Sequence, residues 1–133
     1  MKHLILIALL IFNISASTPP KDITGKWKVT NADVDLVEMK VPENQRAMVL
    51  SMLKKTFTNS IFDFRANGQF YSTANLPNFP KNLVWDYQAN TGDLSIKEAK
   101  DASKIMMITV KEKNGQVYFM MKETSVVLKM AKL

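Results

Sequence analysis

The stretch IFDFRANGQFYSTA (Ile61–Ala74) sets the terms of the fold. Phe62 and Phe64 alternate with Asp63 and Arg65, and Phe70 resumes the pattern beyond an Asn-Gly pair. A period of two belongs to a strand with one buried face, and Asn67-Gly68 supplies the positive φ angles of a tight hairpin. The pattern recurs downstream. LVWDYQA and DLSIKE flank NTGD (Asn90–Asp93), whose glycine comes one place later and predicts a longer loop. IMMITVKEK and QVYFMMKE flank KNGQ (Lys113–Gln116), and TSVVLKMAK closes the chain. With GKWKVTNADV (Gly25–Val34) at the front, the count is about eight strands, the number that closes a small up-and-down barrel. The fold expected is mainly β: an eight-stranded antiparallel barrel with one α-helix between strands 1 and 2.

The helix is read from VPENQRAMVLSMLKKTF (Val41–Phe57), the one long stretch that does not alternate. Met48, Val49, Met52, Leu53 and Phe57 gather on one face at helical period. Pro42 and Glu43 suit a helix start, and Lys54 and Lys55 complement the negative end of its dipole. Such a helix is expected to lie across one end of the barrel.

Strand parity assigns the two faces. Trp27, Val29, Phe62, Phe64, Phe70, Leu83, Trp85, Tyr87, Leu94 and Ile96 share the inner face. Met106, Ile108, Val110, Val117, Phe119, Met121, Val126, Leu128 and Met130 continue it. Lysines, Asp63, Arg65 and Asp86 occupy the other. Ile105, Met107, Tyr118, Met120 and Val127 are apolar yet fall outside, on the last three strands, where they form either ordinary surface or a partner face.

The chain has 133 residues, room for one domain. Its start reads as a secretory leader: Lys2, then the apolar run Leu4–Phe12, then small residues at Ser15–Ser17. Residues 1–17 are expected to be the signal peptide, cut at Ser17–Thr18, and residues 18–133 the barrel domain. The apolar run is shorter than the roughly 20 residues a membrane-spanning helix needs. With no cysteine in the chain there is neither a disulfide nor a lipid-modified residue. A secreted or periplasmic protein without stable membrane insertion follows.

The single histidine, His3, lies in the leader. The remaining chain lacks the imidazole and thiolate groups of most zinc sites and nucleophile–base pairs. No catalytic residue, metal or cofactor is therefore expected, and the protein is not read as an enzyme. Asp33, Asp35 and Glu38 read as a solvated loop. Net charge is +6, one less without Lys2. Its lysines are scattered, whereas nucleic-acid binding needs a concentrated basic face.

Gly25 and Trp27, in GKW at the head of an eight-stranded meander, resemble the Gly-x-Trp signature of the lipocalins. The whole pattern is most similar to the short secreted lipocalin-like (calycin-type) domains of Bacteroidetes-type bacteria. That resemblance implies a tryptophan plugging one barrel end and a basic residue of the last strand packed over it. Lys132 has inward parity for that place and Lys129 is the second choice. The inserted helix is also similar to fatty-acid-binding proteins, but the chain reads KMA (Lys129–Ala131) where those carry an Arg-x-Tyr pair, so no carboxylate site is carried over.

Two functions fit this reading, and the first is the one expected. One is non-covalent binding of a small apolar molecule, with Phe64, Trp85, Tyr87, Met106 and Phe119 as barrel contacts and Met48 and Met52 on the helix lid. ANLPNFPKNL (Ala74–Leu83) would rim that mouth. The other is a filled barrel acting as a protein-interaction or inhibitor module. A dry space of about 300 Å3 or more favours the first.

Overall fold

The computed structural model describes residues 18–36, 38–74, 80–101 and 104–133, and for 104 and 105 the backbone alone. The expected leader and its cleavage bond, the middle of the proline loop and the side chain of Ile105 lie outside the described residues. Eight strands follow in chain order: β1 Gly25–Val34, β2 Ile61–Phe64, β3 Gln69–Ser72, β4 Leu83–Gln88, β5 Asp93–Glu98, β6 Lys104–Lys113, β7 Gln116–Met121 and β8 Val126–Lys132. Each pairs antiparallel with its chain neighbour, and β8 returns to β1, so the barrel is closed. This up-and-down order is compatible with a lipocalin-like fold. A 3-10 turn (Glu43–Gln45) leads into the helix α1 (Arg46–Phe57) between β1 and β2.

Inward parity holds along the strands. Val29, Phe64, Leu94, Ile96, Ile108, Val110, Phe119 and Leu128 are wholly buried, while Trp85, Tyr87, Met106 and Met121 pack against this core from its edges. The exception is informative. A bulge between Val29 and Asn31 shifts the register of β1 against β8. It turns the buried side from odd to even numbers, so Ala32 is buried while Asn31 and Asp33 face out.

The two Asn-Gly pairs make different turns. Asn114 and Gly115 both have positive φ (53° and 78°), which is the two-residue hairpin turn with matching twist. At the first hairpin only Gly68 is left-handed (φ 91°), and the Gly68 N–H donates to the Arg65 carbonyl at 2.9 Å. That is a type I turn followed by a glycine bulge, a longer loop than the dipeptide predicts.

The helix buries a face one step round from the expected one. Phe57 is buried, Leu53 packs on the core and Val49 is half-buried, an i, i+4, i+8 stripe. Met48 and Met52 are 59% and 62% exposed, which corrects their placement on the helix's covering face. After Phe57 the chain rejoins the sheet at once: the Asn59 N–H donates to the Val29 carbonyl and the Val29 N–H to the Ser60 carbonyl. The helix thus stands beside the upper half of β1, where β2 no longer pairs.

Candidate functional site

The barrel axis is occupied by rings. Phe119 lies 6.1 Å from Trp27, 6.2 Å from Phe62 and 5.8 Å from Phe64, centroid to centroid. Phe64 also meets Phe70 at 5.1 Å and the edge of Trp85 at 5.5 Å, all within contact range for aromatic pairs. Of the residues expected to line a cargo site, Phe64 and Phe119 are parts of this cluster. Trp85 is half-buried and donates its indole N–H to the Arg65 carbonyl at 2.9 Å. Met106 is at the helix end of the barrel, and Met48 and Met52 face solvent. The structure does not bring these residues together around one space.

Tyr87 makes a different contact. Its hydroxyl donates to the Pro20 carbonyl at 2.5 Å, and burial, helped by the charge of Glu112, pushes its pKa up to about 12. Pro20 belongs to a strap, Thr18–Thr24, that crosses the end of the barrel holding the three tight hairpins. Thr18 bridges to Glu112, and Ile23 is wholly buried. The Trp27 indole N–H donates to the Ile23 carbonyl at 2.8 Å, and the Lys132 ammonium sits 5.0 Å from the Trp27 ring centroid while donating to the Thr24 carbonyl. Gly25 has φ +117°, and a Cβ there would stand 2.8 Å from Lys132 Nζ. A glycine at this place leaves room for the cation over the indole.

Two openings lie elsewhere. On the outer face of β1, β8 and β7 a groove of about 380 Å3 runs between Tyr118 on one side and Asn31, Asp33 and Asp35 on the other, over a floor of Ser125, Val127 and Lys129. Register explains the assembly: Asp33 pairs with Val127, Asn31 with Lys129, and Lys129 with Tyr118. Asp33 and Asp35 each accept a backbone N–H, from Val34 at 2.8 Å and from Glu38 at 3.0 Å. Lys54 of the helix donates to the Asn31 amide oxygen at 3.0 Å and pins α1 along the groove's edge. Acidic groups thus sit toward the helix end and Lys129 two residues along β8, with an apolar floor between. Tyr118 and Val127 were legible as outward apolar residues. Their acidic neighbours were not, because the β1 bulge decides which way Asp33 points.

A recess of about 410 Å3 opens where β3 and β4 part. Only Gln69–Val84 and Phe70–Leu83 pair there, and Asn82 turns left-handed (φ 60°) just before β4. Phe70, Ala74 and Leu83 form its apolar back, with Tyr71, Ser72 and Lys81 at the rim.

Among the described residues no group of three or more His, Cys, Asp or Glu is placed to hold a metal ion, and no helix is long and apolar enough to cross a membrane. No protein-family model, curated protein or solved structure matches the chain.

Proposed function

We propose that this chain is an exported binding module that works from its outer surface, with the packed barrel as a rigid scaffold and no catalytic chemistry. The observation that carries the reading is the contrast between an axis filled by mutually touching rings and an outer groove of about 380 Å3 with charge at both ends. The occupant that fits is an extended polypeptide segment whose apolar side chain rests on Val127 and Tyr118. A basic side chain on the same segment would lie toward Asp33 and Asp35.

The test is site-specific photo-cross-linking in the native exported fraction. A cross-linker at position 127 gives one discrete protein adduct, whose cross-linked segment carries a basic residue, and one at position 86 on β4 gives none. Equal labelling from both positions overturns the reading.

A second reading has its own observation. The β3–β4 recess reaches core residues Phe70 and Leu83, so a small apolar molecule could lodge at the mouth of the barrel. Native mass spectrometry after incubation with a lipid extract separates the two, because only this reading yields a releasable added mass.

A further inference from the structure

The sequence carries two Met-Met pairs, Met106-Met107 and Met120-Met121, on adjacent strands, and the groove uses neither. Three of these four side chains line one cavity. Met106, Met107 and Met121, with Glu123 and Thr124, enclose about 110 Å3 at the helix end of the barrel. Met121 pairs with Ile108, two residues along β6 from Met106. Met106 and Met121 are therefore diagonal neighbours on the inner face, about 7–8 Å apart from backbone to backbone, within reach of long side chains. Met107, whose carbonyl accepts the Lys122 N–H at 2.9 Å just past the end of β7, lines the same cavity from the other face. All three side chains are half-buried.

We propose that this cavity is a site for a soft monovalent metal cation, copper(I) or silver(I), held by the three thioether sulfurs. Thioethers are neutral, polarizable donors that select such ions over zinc, calcium or magnesium. The sequence names no metal site when only imidazole and thiolate donors are counted; methionine belongs to a different class. Local charge agrees. Glu123 is among the lining residues, and the adjacent cation, Lys122, is paired with Asp93 at 2.6 Å. The proposal is independent of the groove.

The test uses silver(I), which needs no reductant, on the full exported chain. Native mass spectrometry and calorimetry are run on the wild type and on two double variants. Met107→Leu with Met121→Leu removes two sulfurs while conserving volume, a swap packed cores tolerate. Met48→Leu with Met52→Leu removes the exposed helix pair. One silver ion bound by the wild type and by the helix variant, with affinity at least about tenfold lower in the cavity variant, is the expected result. No bound silver, equal loss in both variants, or equal uptake of zinc overturns the proposal.

Discussion

The two ends of the barrel are built on opposite principles. At the plug end, three tight hairpins meet the Thr18–Thr24 strap, and three side chains donate to its carbonyls: Trp27 to Ile23, Lys132 to Thr24 and Tyr87 to Pro20. At the helix end, the β1–β2 connection carries the helix, β3 and β4 part after two residue pairs, and methionines stand at the surface. A closed barrel has no strand edges to protect, so its two ends are free to differ. One end is tied down by the strap; on the reading proposed above, the other, with the groove beside it, is where recognition varies at little cost to the fold.

The sharpest way to break this contrast is to empty the axis. Phe119→Ala removes the ring that touches Trp27, Phe62 and Phe64, and is expected to cost about 3–5 kcal/mol in urea unfolding. A loss below 1 kcal/mol would mean that the interior is not packed as described. Gly25→Ala comes next. It sets a side chain at positive φ against the Lys132 ammonium, and a loss of roughly 1–3 kcal/mol is expected.

Tyr87→Phe sharpens the comparison at the strap. It deletes the hydroxyl donated to Pro20 and should cost about 1 kcal/mol, with faster hydrogen exchange confined to residues near the strap. The same contact has a pH signature. The folded phenol ionises only near 12, above its ordinary value of 10.0. The native state thus holds its proton where the unfolded chain has lost it. This contribution is complete below pH 10 and is lost as pH rises from 10 to 12, a loss the Tyr87→Phe variant should lack. The smallest effect belongs to the helix end: Met48→Ala with Met52→Ala should change stability by no more than about 0.5 kcal/mol per site. A larger change would mean that these side chains are not solvent-facing.

The sequence made the barrel legible because alternation and turn residues are local signals. β1 and β5 run over the same residues as the alternating stretches Gly25–Val34 and Asp93–Glu98. What it could not show depends on contacts between distant strands. The type I turn at Gly68 answers to the sheet rather than to its dipeptide. The helix carries apolar residues on more than one side, so only packing against β1 selects Val49, Leu53 and Phe57 over Met48 and Met52. The groove rests on the β1 bulge. Its one sequence signal is the shift of apolar parity from Trp27 and Val29 to Ala32 and Val34.

On the reading proposed above, the barrel is packed and works from its outer surface. Native mass spectrometry of the protein purified without detergent from its own exported fraction, before and after incubation with a lipid extract, tests it most directly. No added mass that organic solvent releases is expected in either case. A discrete added mass, released by organic solvent, would contradict it and make the protein a carrier.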